Sequence, residues 1–474
     1  MDILSLEPAA VWRRFAEICA IPHASGNEEK LSRFLAEEAQ KNGWMVRTDG
    51  FFNLRIDRKA APGREDTPRI VLQGHLDMVP QAAPGKKFDF SRDPVTPVAE
   101  NGFVRAEGTT LGADDGIGVA VAMALLAEPE LDGNLSALFT VSEETGLVGA
   151  ANLAPDFLDG DILINLDHGE SGKICVGCAG GARVHLTFTA PQIPAPAGKA
   201  VKITLSGLPG GHSGVCIHEK RGNALTMLAR IVGAADCAVS AFSGGTVDNA
   251  IPDRAEITAV LADPDRTAPL LRAAAEACRK ELDPAFTLDL DISPCPAPER
   301  VWSWDFREQF LQLLSAAPHG VAEFSKEYGV PLTSGNIASL RADGNTLRLV
   351  FSTRSLDDAR RRAHTRRLID HFSFLKPEVE ITSEYPGWTP DPGSSLPETA
   401  VRVRRELTGK ETRIEVIHAG LEAGIFAGGN PRLRMMSCGP DMFDIHTPQE
   451  HVSIAAVGEF YTFMKTLVRR LADQ

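Results

Sequence analysis

The chain has 474 residues, 43% hydrophobic and 24% charged, a balance that suits a globular protein with two or three domains. Its 49 basic against 63 acidic residues leave a formal charge of −14. That argues against nucleic acid or an anionic membrane as the main partner, since both reward clustered Lys and Arg.

Two amphipathic helices open the chain, over 8–20 and 27–42. The first stands where a basic and then apolar leader would be, so no secretory signal is expected. No later stretch approaches the roughly 20 apolar residues needed to span a bilayer. The eight cysteines are scattered, and the CxxC of Cys175 and Cys178 has no second pair, so reduced thiols in the cytoplasm are expected. Strands follow at "RIVLQG" (69–74), "LSALFTVS" (135–142) and "DILINLD" (161–167), with the buried alanine-rich helix "GIGVAVAMALLAEPEL" (116–131) between the first two. This alternation predicts an α/β fold with a mostly parallel sheet.

The character changes after "GCAGG" (177–181). "ARVHLTFTA" and "KAVKITLSGLPGG" read as exposed antiparallel strands separated by a Pro/Ala loop at 191–199. Helix and strand patterns continue to about residue 384, and a long helix is expected over 454–471. The simplest organisation is one α/β catalytic domain made of 1–181 and 385–474, interrupted by an inserted α+β domain over 182–384.

The strand ends carry the chemistry. "VLQGHLD" delivers His75 and Asp77, "FTVSEE" delivers Glu143 and Glu144, and "LINLD" delivers Asp167. Ligands of open α/β sheets bind at the carboxyl ends of strands. Acid and imidazole groups gathered at one edge are costly unless a cation sits there. "GTTLGADDGIG" (108–118) adds Asp114 and Asp115, and "CGPDMFDIHTP" (438–448) adds Asp444 and His446. Two His and several carboxylates without paired cysteines suit Zn²⁺, Mn²⁺ or Co²⁺, and the surplus of carboxylates suggests two divalent ions sharing a bridging one. Either Asp114 or Asp115 could be that bridge.

"GHLDMV", "GADDG", "SEETG", "NLD" and the late "HTP" resemble, in order and spacing, the di-zinc aminopeptidase/carboxypeptidase clan that includes aminoacylases. "IPHASGNE", "LGADDGIG", "GCAGG", "GGHSG", "NAIP" and "HAGLEAG" are similar to its aminoacyl-histidine, or non-specific, dipeptidase branch. The resemblance implies that His75 and Asp167 hold one metal, Glu144 and His446 the other, and that Asp114 bridges them. It further implies that Asp77 orients His75, that Glu143 is the general base for the attacking water, and that the insert acts as a lid. In the insert, His212 becomes an oxyanion donor, and Asn249 and Arg354 become partners of the substrate carboxylate, although each of these two also fits a strand edge. Glu422 becomes a receptor for the substrate amino group, with His418 supporting its loop. The segment "HGESGK" (168–173) is less acidic than this branch leads one to expect, which leaves fine specificity open.

The expected function is hydrolysis of unblocked dipeptides, Xaa-His among them, by a cytoplasmic enzyme able to form a homodimer. The rival readings are an N-acyl amino acid deacylase or carboxypeptidase of the same clan, and a non-catalytic metal-binding homologue.

Overall fold

Three apolar segments, Ile70–His75, Leu135–Thr140 and Ile162–Asn165, run side by side and parallel in the computed structural model, which describes residues 2–474. Arg434–Ser437 joins them as a fourth parallel strand beside Ile162–Asn165. The flanks are antiparallel: Leu54–Arg58 and Met45–Thr48 lie on one side, Lys173–Cys178 on the other. The mostly parallel sheet expected from the sequence is therefore its centre. Ile70–His75 and Leu135–Thr140 are buried at every position, the result of cover on both faces, and so they read as unbroken apolar runs.

The helix Ala113–Leu126 is likewise buried along its whole length. Small residues allow this. A Cβ on Gly116 would lie 3.2 Å from the Phe15 ring, so the glycine lets the helix Ala9–Cys19 pack close. These elements belong to a first compact unit, Met1–Cys178 with Trp388–Val416 and Leu421–Gln474.

The second unit comprises Ala179–Gly387 and Ile417–Gly420. Its main sheet has nine strands, and their pairings are antiparallel. Here the expectation of exposed strands is corrected. Gly180–Thr189 lies between Thr346–Ser355 and Glu378–Tyr385, with Val184, Leu186 and Phe188 buried at alternate positions. Side chains of a strand alternate between faces, and one face here meets helices. Phe188 packs edge-on against Phe310 of Trp304–Ser315 and Phe372 of Asp358–Phe372, at 5.5 and 5.9 Å. The 191–199 loop contains a short strand, Gln192–Pro194, paired with Arg300–Trp302. Among the described residues no helix is long and apolar enough to cross a membrane, and no disulfide joins the cysteines.

Candidate active site

Strand register brings the acid and imidazole groups together. His75 is level with Thr140 of the neighbouring strand, and Gln73 is level with Asn165 of the other. The residues that follow these strands therefore emerge at one sheet edge. His75 Nε2 lies 3.2 Å from Asp114 Oδ1 and 4.0 Å from Asp167 Oδ2. His446 Nε2 lies 3.2 Å from Asp114 Oδ2 and 2.8 Å from Glu144 Oε1. Asp114 thus turns one oxygen to each imidazole. Donor atoms of His75, Asp114 and Glu144 all fall within 4.8 Å of one another.

Asp77 sits behind this group. Its carboxylate is 3.4 Å from His75 Nδ1 and accepts from Ser25 Oγ at 2.8 Å, Glu143 N at 2.9 Å and Glu144 N at 3.2 Å. The Asp77 carbonyl oxygen lies closer still to His75 Nδ1, at 3.0 Å, so this residue faces the imidazole with both its main chain and its carboxylate, while the carboxylate holds the backbone of the two glutamates. Asp115 is directed elsewhere: a Cβ added to Gly74 or Gly118 would meet its carboxylate at 2.2 or 2.1 Å, so it fills the space those glycines leave. Of the two candidates for a shared carboxylate, only Asp114 faces both histidines. Asp444 is exposed, with its carboxylate 3.7 Å from His451.

The electrostatics follow from crowding. Burial opposes charge on His75, yet Asp114, Asp77 and Asp167 outweigh it and hold the ring well above its usual pKa. The same contest, with Asp114 and Glu144 as partners, lifts His446 to about 11. Burial raises Asp167 well above the carboxylate range, and Asp114 and Glu144 add to it. Glu143 is also raised well above that range by burial, with Asp167, Glu144 and Glu422 adding and His75 opposing. Imidazole nitrogens and carboxylate oxygens without thiolate form a donor set that fits divalent ions such as Zn²⁺, Mn²⁺ or Co²⁺.

The second unit has its own polar cluster. Arg354 Nη1 donates to the Tyr385 hydroxyl at 2.9 Å, while its buried Nε has no hydrogen-bond partner among the described residues. Arg354 and the exposed Asn249 line one small cavity of about 40 Å³, together with Arg183 and Asp248. His212 lies in a loop bridged to Ala250, and its Nδ1 accepts from Gly214 N and Val215 N at 3.3 Å. His418 is buried, with Nε2 2.7 Å from Ser334 Oγ.

The family model for peptidase family M20/M25/M40 matches residues 71–470, a span that includes the whole cluster from His75 to His446. The chain belongs to this peptidase family. It is 36% identical to the cytosol non-specific dipeptidase of Escherichia coli over 480 residues, covering 99% of each chain. It superposes on the crystal structure of aminoacylhistidine dipeptidase from Vibrio alginolyticus with a TM-score of 0.86 and 36% identity, covering 99% of this chain and 98% of that one. A tripeptidase structure from Staphylococcus aureus, 18% identical with a TM-score of 0.63 over 99% and 100% of the two chains, shares the fold.

This M20-family chain also uses residues that sequence reasoning missed. Four parallel strands contribute a buried polar row beneath the cluster. Thr140 and Gln73 donate to Glu422 Oε2 at 2.7 and 2.6 Å, Asn165 donates to Gln73 at 2.7 Å, and Ser437 donates to Asn165 at 2.5 Å. Burial pushes Glu422 up to about 7, with His75, Thr140 and Gln73 opposing. Glu28, from "IPHASGNE", accepts from Ser142 N and Oγ at 2.9 Å and so fixes the residue before Glu143, which holds a left-handed φ of 51°. Glu450 accepts from four backbone N–H groups of 111–114. The order "SGNE" hinted at Glu28, but nothing in the sequence pattern marked Glu450.

Proposed function

We propose that the protein is a metal-dependent dipeptidase that hydrolyses unblocked dipeptides, Xaa-His among them, using two divalent ions. The observation that carries this reading is the double-facing carboxylate of Asp114, one oxygen to His75 and the other to His446. His75 and Asp167 would hold one ion, Glu144 and His446 the second, and Asp114 both. Bound there, the ions supply polarisation of the scissile carbonyl and acidification of the attacking water.

The chain's own residues do the rest. Asp77 orients His75 through the ring nitrogen that faces away from Asp114. Glu143, next in the chain to Glu144 and held at its backbone by Asp77, receives the proton of the attacking water and returns it to the leaving amine. His212 donates to the developing oxyanion. Arg354, with an unpartnered buried Nε, and Asn249 beside it receive the substrate carboxylate. Glu422, buried with Oε1 unpartnered, receives the free amino group. The names of the Escherichia coli and Vibrio alginolyticus relatives support dipeptides, aminoacyl-histidine substrates and a cytosolic location.

The test compares free and N-acetylated dipeptides on the metal-loaded protein. Acetylation removes the charge that Glu422 is to meet, so kcat/KM should fall about tenfold to hundredfold, the cost of leaving a buried charge unpaired. Glu422→Gln should shrink that ratio. Equal rates for the two substrates would overturn the dipeptidase reading in favour of a deacylase or carboxypeptidase. Metal uptake without hydrolysis of any substrate would favour a non-catalytic homologue.

A further inference from the structure

We infer that Glu450 is a positioning residue for the metal centre, locking the segment that carries Asp114 to the loop that carries His446. The inference rests on the reading of the cluster as a metal site. The Glu450 side chain is 2% exposed and meets four backbone donors. Oε2 accepts from Leu111 N at 2.7 Å and Gly112 N at 3.0 Å; Oε1 accepts from Ala113 N at 2.7 Å and Asp114 N at 3.2 Å.

The segment needs this partner. It opens the helix Ala113–Leu126, whose first N–H groups have no acceptor within the helix. A serine or aspartate at the preceding position would usually accept from them, but that position is Gly112, with no side chain and a left-handed φ of 75°. The backbone at Asp114 and Asp115 is itself non-helical, so the regular ladder does not hold Asp114 in place. A carboxylate 336 positions away does.

Glu450 is tied at its own backbone to the other half of the site. Its N–H donates to Thr447 O at 3.0 Å, and Thr447 N donates to Asp444 O at 3.2 Å, closing the turn in which His446 holds a left-handed φ of 64°. The contact between Asp114 and His446 depends on both segments, and Glu450 is bonded to both. Neither Asp114 nor His446 is touched by its side-chain atoms except through Asp114 N. Its role is therefore to place ligands, not to react.

Three variants test this: Glu450→Ala, Glu450→Gln and Glu450→Asp. Glutamine keeps the shape but turns an NH₂ group toward two N–H donors; aspartate keeps both acceptor oxygens on a shorter stem. The metal-free proteins are titrated with Co²⁺, following the visible absorption of the bound ion, and their thermal unfolding is recorded alongside. The glutamine variant should bind Co²⁺ about 10–100-fold more weakly, as for loss of a group that orients a ligand, with an altered spectrum. Aspartate should recover part of both. In the zinc-loaded enzyme kcat should fall more than KM changes. Co²⁺ affinity and spectrum equal to wild type in the glutamine variant would overturn the role of Glu450, even if the melting temperature dropped, because that pattern is mere support of the fold. A wild-type protein that takes up no Co²⁺ would overturn the metal reading itself, and the role of Glu450 with it. An alanine variant that does not fold leaves the other two to decide.

Discussion

On the proposed reading, Asp114 and Glu143 divide the work at the scale of single residues. One faces both imidazoles; the other stands next to Glu144 in the chain and is raised well above the usual carboxyl range by burial and its acidic neighbours. Glu143→Gln keeps the shape and loses the base. Turnover should fall by about 10²–10⁴-fold with bound metal unchanged, whereas alanine at His75, Asp114 or His446 should lower metal content itself. Elemental analysis beside an activity assay checks both, and full metal content in all three alanine variants would displace the site. The residues of this group could be read from the sequence because each ends an apolar strand or opens a buried helix. Glu450 could not, because it binds only backbone N–H groups, and every residue type except proline offers one.

The buried helix Ala113–Leu126 shows how an element can reverse a general preference. Alanine is the better helix former than glycine by about 1 kcal/mol. At position 118, however, the new Cβ would lie 2.1 Å from Asp115 Oδ1 and 2.7 Å from Oδ2, and Asp115 is fully buried. Overpacking of this kind costs roughly 1–3 kcal/mol, so the clash wins. Gly118→Ala should lower the urea midpoint of the metal-free protein. Gly116→Ala should cost less than Gly118→Ala, since the Phe15 ring at 3.2 Å need give only a few tenths of an ångström. A raised midpoint at 118 would show that Asp115 has room to turn. Most elements were legible: the helices expected over 8–20 and 27–42 are Ala9–Cys19 and Glu29–Lys41, and the three strands of the sheet centre are present. Gly180–Thr189 was misread as exposed because its alternation records one polar face, not which partners cover the other. The antiparallel flanks were not legible either, since pairing direction leaves little mark on a short strand.

At the scale of the whole molecule, acid should weaken the second unit through His418. Burial first, then the charges of Arg354 and His218 with His212 adding, pushes this imidazole down to about 3, against a small opposing contact with Pro331. In the unfolded chain it titrates near ~6.5. Between these values the unfolded form holds a proton that the native form refuses, so stability is lost as pH falls through that window, by up to about 1.4 kcal/mol per pH unit from this ring. Urea midpoints measured from pH 7 to pH 4 should fall, and less steeply in His418→Gln; identical slopes would remove His418 from the acid response. The strand Arg434–Ser437 has a further consequence. Its Ser437 bonds to Asn165, 272 positions earlier, and His446 and Glu450 meet Asp114 from still further along the chain. A ribosome adding about 5–20 residues per second spends tens of seconds between these partners. For all that time the nascent polypeptide lacks these partners of Asp114, so on the proposed reading of the site it would begin to hydrolyse peptides only once residue 450 has been added and the two ends have met.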